Sequence, residues 1–257
     1  MTNRLAPRAL IVAMIVVLVG PLLVLPIQAF ADEWRAPNLI PQRFGLRGIE
    51  RVLNDGLLPE AIANSTVVAI AAAIAGVLVA WPAARSLAEL ESPRAVWIVV
   101  ILPLLLPPLV VGEGLRVWFL RLGLADSLVG LVLAHLVFVV PYCILVLTPG
   151  FTPELRNREA AANMLTGDTW QRIGSVTLPG TRRQVALALA LGFTISWAQY
   201  GTSLGVGGGV AMLPLLFVPL VRADPQVAAV LDLVVIAPPL IALAISQRRS
   251  GVDPPPF

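Results

Sequence analysis

The side chains able to do chemistry are few. The 257-residue chain holds one histidine, His135, and one cysteine, Cys143, which leaves neither a His-rich metal site nor an intrachain disulfide. Both lie on one apolar segment, so a membrane-embedded hydrolase, which needs a nucleophile with its base or a metal cluster, has little to draw on. All 18 basic residues are arginine. Without lysine the pattern G-x-x-x-x-G-K-[ST] cannot be written, and the chain carries no P-loop of its own. It is therefore read as non-catalytic, with no metal and no cofactor bound. The run Gly205-Val206-Gly207-Gly208-Gly209 invites a phosphate-loop reading, but no strand precedes it, and a flexible turn or gate hinge is the better account. The densest polar cluster is Thr194, Ser196, Trp197, Gln199, Tyr200, Thr202 and Ser203, to which His135 is added as the lone imidazole. Two readings stand: helix–helix hydrogen bonding, or the lining of a path for a polar solute. Trp197 and Tyr200, three apart, would share one helix face and could pass an organic cation by cation–π contact, or both could anchor at the outer membrane interface. Glu113, Arg116 and Asp232 are ionisable groups at span ends, placed where side chains snorkel to the interface.

Stepping outward to the elements that must hold these groups, 58% of residues are hydrophobic and 13% charged, far from an ordinary soluble domain. The expectation is an all-α integral membrane protein, a single transmembrane domain over residues 1–257, with six transmembrane helices near 9–30, 61–81, 95–111, 127–147, 185–201 and 227–245. Ala29-Phe30-Ala31 looks like a leader-cleavage site, but the apolar run before it exceeds a leader core, so it is read as a span. Residues 31–60 carry Phe44, Leu46, Ile49, Val52 and Leu53 at helical spacing, as in a surface helix, or form an ordered loop. Asn64-Ser65-Thr66 is read as polar helix surface rather than a glycosylation site. Arg85, Glu89, Glu91 and Arg94 mark a short charged loop. Pro103, Pro107 and Pro108 break the third span, which must then face protein or a cavity. Residues 210–221 are too short to span. Eleven arginines (Arg4, Arg8, Arg85, Arg94, Arg156, Arg158, Arg172, Arg182, Arg183, Arg248 and Arg249) fall on one side, which places both termini in the cytoplasm. The small net charge of +3 gives no support to a nucleic-acid partner.

Between the fourth and fifth spans, residues 151–183 are amphipathic without spanning capacity. Glu159 to Leu165 are good helix formers, Gly167 breaks the helix, and Trp170, Ile173 and Val176 recur every three residues. Two short helices joined by a turn are expected, with Ala160 and Ala161 permitting close approach and Met164, Leu165 and Trp170 as apolar anchors. A membrane-surface helix is the plainer alternative.

The run Glu159-Ala160-Ala161, the following Gly167 and the pair Leu178-Pro179 resemble the "EAA" loop of binding-protein-dependent ABC importer permeases. Residues 41–46 (Pro-Gln-Arg-Phe-Gly-Leu) and 223–229 (Ala-Asp-Pro-Gln-Val-Ala-Ala) are similar to the spermidine/putrescine, thiamine and iron branch. The resemblance covers residues 9 to 247. It implies a multi-pass permease of a bacterial inner membrane, forming half of a translocation path for a small polar solute such as a polyamine or thiamine. Its implied partners are a second permease subunit, two P-loop ATPase subunits that bind ATP and Mg, and an external binding protein. It further implies that Glu159, Ala160, Ala161, Met164, Leu165, Gly167, Trp170, Ile173, Leu178 and Pro179 form the ATPase-coupling element. The loop departs from the family spacing: five residues separate Ala161 from Gly167, and Pro179 follows Gly167 by twelve. Counting back from Pro179 sets Thr166 in the glycine's place and Ala160 in the glutamate's, so either Glu159 or Ala160 takes that position. An ion-coupled secondary transporter is the alternative, although buried midplane acids and internal repeats are not evident.

Overall fold

The computed structural model describes residues 5–90, 93–165 and 167–250; Arg4, Glu91 and Thr166 lie outside the described residues. The chain forms two compact units, one of residues up to 59 with 216–237, the other of residues 60–215 with those from 238 onward. In order the elements are α1 (Leu5–Ala29), β1 (Ala31–Glu33), β2 (Arg43–Phe44), α2 (Arg47–Leu53), α3 (Leu58–Glu89), α4 (Arg94–Ile101), α5 (Pro108–Arg121), α6 (Leu128–Leu147), α7 (Pro153–Leu165), α8 (Thr169–Arg172), α9 (Leu178–Trp197), α10 (Gly201–Gly207), α11 (Leu213–Ala223) and α12 (Pro225–Ser250).

Among the described residues three helices are long and apolar enough to cross a membrane, those containing 12–29, 58–89 and 128–150, or four if the bent pair α4 and α5 counts as one span. The first, second and fourth expected spans are thus α1, α3 and α6. The third is not one rod. Pro103 opens a 3₁₀ turn over Leu102–Leu105, Pro107 sits in extended backbone, and α4 and α5 meet at 96°. Proline removes the backbone donors that a continuous helix needs, so the break falls at the prolines. Helix α4 fully buries none of its residues, but Trp97 and Val100 pack in part against the core of its unit, and α5 packs on α10 through Gly112. The fifth expected span begins earlier, at Leu178, and its apolar part is only the 13 residues 185–197, since Arg182, Arg183 and Gln184 lie inside the helix. The sixth is α12, of which the apolar stretch Pro225–Ile241 is described as a shorter helix. The charged loop expected after the second span shrinks, because α3 continues through Pro82, Arg85 and Glu89.

Among the described residues the fold is helical apart from one small antiparallel ladder, in which Ala31 faces Phe44 and Glu33 faces Arg43. Residues 31–60 thus form a hairpin followed by α2, where a longer surface helix was one expectation. Gln42 holds the hairpin loop by reciprocal bonds, its Nε2 donating to the Arg35 carbonyl and its Oε1 accepting the Arg35 N–H, both at 3.1 Å. In the same unit the two similar stretches 41–46 and 223–229 lie together. Arg47 donates to both oxygens of Asp224 at 2.7 and 3.0 Å, Arg51 adds a bond at 3.1 Å, and Asp224 accepts the Val227 N–H at the start of α12. Gln226 reaches Asp32 at 2.9 Å. Gly48 makes room for it, since a Cβ there would lie 2.8 Å from the Gln226 Cγ.

The second unit is built on α6, with α3 and α9 against it. Ala72, Ala80, Ala84, Val139, Cys143, Leu147 and Ala188 are buried together. A Cβ at Gly76 would come within 2.5 Å of Val139 Cγ1, so a small residue is what lets these helices approach, as in lipid, where no hydrophobic force drives helices together. Asn64 and Ser65 turn inward to serve the segment before and at the start of α11: Asn64 Nδ2 donates to the Ala211 carbonyl at 3.0 Å and Ser65 Oγ accepts the Leu213 N–H at 2.9 Å. They are internal caps rather than a plain helix surface.

Candidate functional site

The loop 151–183 folds as anticipated in outline. Asp168 caps α8, accepting the Trp170 N–H at 2.9 Å, and a π turn over Ile173–Thr177 leads into α9. Such turns widen the helix locally, and this one buries Thr177. The Thr177 hydroxyl donates to Glu159, whose other oxygen receives Arg85 Nη2 from α3 at 2.9 Å. Arg85 also reaches Glu89 at 3.4 Å. Glu159 is only 7% exposed. An unpaired carboxylate buried to that degree would be costly, and its two partners make the burial tolerable. Behind it, Trp81 Nε1 donates to Thr181 Oγ1 at 3.2 Å, Thr181 returns a bond to the Thr177 carbonyl, and Trp81 meets Phe151 edge to face at 5.7 Å.

This geometry divides the loop's residues into two groups. Glu159 faces inward and ties α7 to α3 and α9, so it is not a contact surface, while Ala160 and Ala161 are exposed. Met164, Leu165 and Trp170 are 84%, 89% and 81% exposed, an apolar surface with nothing of this chain over it. Gly167 is exposed, and a side chain added there would meet nothing. Ile173 is half-buried; Leu178 and Pro179 are exposed at the start of α9.

The polar cluster resolves differently. Helix α9 ends at Trp197, backbone without regular structure follows at Gln199 and Tyr200, and α10 starts at Gly201. Trp197 and Tyr200 therefore do not share a helix face. Trp197 is buried and stacks on Phe193 at 5.7 Å, so one face of its ring is occupied, and the expected cation–π pair is not formed. His135 on α6 bridges the break, with Nδ1 2.7 Å from Ser196 Oγ and Nε2 3.0 Å from Ser203 Oγ. The Ser203 hydroxyl spends its one proton on the Gln199 carbonyl, so Nε2 must carry the hydrogen it shares with Ser203. Thr194 bonds the Ala190 carbonyl on its own helix. His135, Ser196 and Ser203 are thus engaged in contacts between helices, while Thr194 lines an apolar cleft of about 440 Å³ with Val146, Leu187, Ala190, Leu191, Pro239 and Leu240. Gln199 Nε2 and Thr202 Oγ1 are buried with no hydrogen-bond partner among the described residues. The glycine-rich run is not a hinge over its first part. Gly201 and Gly205 pack on α5, where a Cβ at Gly205 would lie 2.5 Å from the Gly112 carbonyl carbon. Close helix contact is why glycine is needed there. Sequence reasoning missed the Arg85 partner of Glu159, because Arg85 was placed in a loop.

No protein-family model matches the chain. The chain is 31% identical over 166 residues to the molybdate/tungstate transport system permease protein WtpB of Thermococcus kodakarensis, covering 64% of this chain and 65% of that one. It is 30% identical over 150 residues to the molybdenum transport system permease protein ModB of Azotobacter vinelandii, covering 53% and 66%. The matches thus span just under two thirds of these relatives' length. A putative 2-aminoethylphosphonate transport system permease protein PhnV of Salmonella typhimurium matches more of the chain, 89%, at 25% identity. Among solved structures, a bacterial ABC transporter involved in the import of the acidic polysaccharide alginate superposes with a TM-score of 0.70 at 16% identity, covering 95% of this chain and 94% of that one.

Proposed function

We propose that this chain, which is similar in sequence to ABC transporter permeases and has the fold of an ABC importer permease, is a permease subunit of an ABC importer and forms half of its translocation path. A non-catalytic role agrees with a chain that has no lysine and no P-loop. The observation that carries the reading is the trio Met164, Leu165 and Trp170, held out on a helical loop whose back is pinned by the buried Glu159. That loop receives an ATPase subunit in the cytoplasm and works as a lever on α6 and α9, biasing a two-state element. A second permease chain, similar or identical, two P-loop ATPase subunits and an external binding protein complete the assembly in a bacterial inner membrane, with six spans and both termini inside.

For the solute we favour a small oxyanion. The names of the relatives point to anions, and the uncommitted buried groups at the α9–α10 break, Gln199 Nε2 and Thr202 Oγ1, are neutral hydrogen-bond donors. The polyamine or thiamine expectation drew on the branch resemblance of residues 41–46 and 223–229, whose solutes the relatives' names do not include, and on a Trp197 and Tyr200 pair that the helix break separates.

The test is solute-stimulated ATP hydrolysis by the reconstituted assembly. Gly167→Trp and Ala161→Arg, both at exposed positions, are expected to lower it more than tenfold with insertion unchanged. Normal turnover in both would reduce the loop to a surface helix. Uptake competed by molybdate or a phosphonate, but not by putrescine, supports the oxyanion; the reverse result overturns it.

A further inference from the structure

We infer that the cleft between α7, the π turn and the start of α9 binds the phosphate headgroup of an anionic phospholipid. The cleft is about 370 Å³ and is lined by Arg158, Ser175, Val176, Pro179, Gly180 and Arg182. Its form follows from close packing: Gly180 lies against Leu155, whose Cδ1 would be 2.5 Å from a Cβ at that position. The small residues of the floor leave the opening to two guanidinium groups from separate elements.

Of the other arginines of this region, Arg183 is exposed beside Arg182 but does not line the cleft, and three are committed inside the chain. Arg85 holds Glu159, Arg156 Nη1 donates to the Ala88 carbonyl at 3.3 Å, and Arg172 bonds Asn163. Arg158 and Arg182 are exposed, and among the described residues neither has an ion pair or a side-chain hydrogen bond. Glu159, the next residue on α7, is turned inward to Arg85 and Thr177, and the acid one turn before Arg158 is Glu154. Its carboxyl is held below the usual range first by its own backbone N–H and by Thr152, with Arg158 a smaller influence. It faces open solvent and leaves the guanidinium available. The Ser175 hydroxyl donates its proton to the Gln171 carbonyl, so only its lone pairs remain to accept from a ligand.

Position decides the kind of anion. Arg182 precedes by three residues the point, Val185, at which α9 becomes apolar. Two uncommitted guanidinium groups at that level sit where the phosphates of a bilayer lie, and guanidinium pairs bidentately with phosphate. A headgroup that also offers a hydroxyl donor, as in phosphatidylglycerol, would use Ser175 as well. The inference needs α9 to enter the membrane; it does not need an ATPase to dock on the loop.

The test uses the full chain in detergent, washed through mixed phosphatidylglycerol and phosphatidylcholine micelles and weighed by native mass spectrometry. One phosphatidylglycerol per chain should be retained, with phosphatidylcholine depleted at least tenfold relative to it. The Arg158→Gln, Arg182→Gln double variant should lose retention about tenfold, and the Arg158→Lys, Arg182→Lys variant, which keeps the charge, should recover part of it. Equal retention by wild type and the Gln variant overturns the proposal. If inorganic phosphate alone displaces the lipid at equal concentration, the site takes a free anion and the headgroup assignment fails. If the Gln variant changes only co-purification of an ATPase, the cleft takes an acidic protein segment and the proposal is likewise overturned.

Discussion

Glu159 and Asp224 are both acids held by arginine at the root of a loop, in separate units of the chain, yet they are held in different ways. Glu159 has one arginine, Arg85, and one hydroxyl, Thr177, and it joins three helices around its own burial. Asp224 has two arginines and a backbone N–H, all from residues beside it in the same small unit, and Arg47 and Arg51 are about half exposed or more. The first arrangement concentrates the attachment of a loop in one ion pair with little redundancy. The second spreads it over several partners that water can replace. Both carboxylates are buried, so the difference lies in their arginines: Arg85 is 30% exposed, Arg47 and Arg51 47% and 62%, and a pair with a more solvated partner costs less to break. Loss of Glu159 should therefore disturb its loop more than loss of Asp224 disturbs its hairpin.

The largest effect is expected from Glu159→Ala. It removes the partner of Arg85 and of Thr177 together, at a cost of about 3 kcal/mol. Thermal unfolding of the solubilised chain should fall by several degrees, and trypsin should cut at Arg158 and Arg172 faster than in wild type. Glu159→Gln keeps an acceptor for Thr177 and should recover roughly half of the loss. If Glu159→Ala unfolds like wild type, the asymmetry between the two acids is wrong.

Asp224→Asn comes next, at about 1–2 kcal/mol, reduced because water screens Arg47. The Arg47 hydrogen bonds hold the Asp224 carboxyl below the usual carboxylate range, against an opposing contribution from burial. A carboxyl lowered in the folded state stabilises fully above its unfolded value of about 3.9 and loses that contribution as pH falls through the lowered value. Melting temperature followed from pH 7 to pH 2 should show the gap between wild type and Asp224→Asn closing only below about pH 4. A gap that closes near pH 6 would point to another group. Gln42→Ala should cost less, about 1 kcal/mol, since its two bonds lie at an exposed hairpin. Faster amide exchange confined to residues 33–45 is the matching readout.

These differences also mark what could be read from the sequence. Apolar length disclosed α1, α3 and α6, because a 20-residue run states its own element. The pair Asp224-Pro225 announced the start of α12, since proline suits a first helical turn. Glu159 was recognisable as a site residue by its neighbours, but its inward direction was not. That direction depends on Arg85, 74 positions away, and on α3 running past Pro82, which a reading by composition ends early. The break after Trp197 was hidden for a related reason: Gln199 and Tyr200 continue a polar run of helical type, and only the packing of Gly201 and Gly205 on α5 shows why the chain turns there.

The smallest effect on the fold is expected where the proposed function is most concentrated. Trp170 is 81% exposed, and its bonds to described residues are backbone ones, its N–H donating to Asp168 and its carbonyl accepting the Ile173 N–H. Trp170→Ala should change stability by less than about 0.5 kcal/mol, as for other surface positions. An aromatic anchor at the centre of a docking face commonly contributes about 2 kcal/mol to association. ATPase co-purification and stimulated turnover should then fall roughly tenfold to thirtyfold at unchanged melting temperature, the reverse of Glu159→Gln, which weakens the loop's attachment and leaves its apolar surface whole. A Trp170→Ala chain that melts early but couples normally would place the anchor inside the fold and the docking face elsewhere.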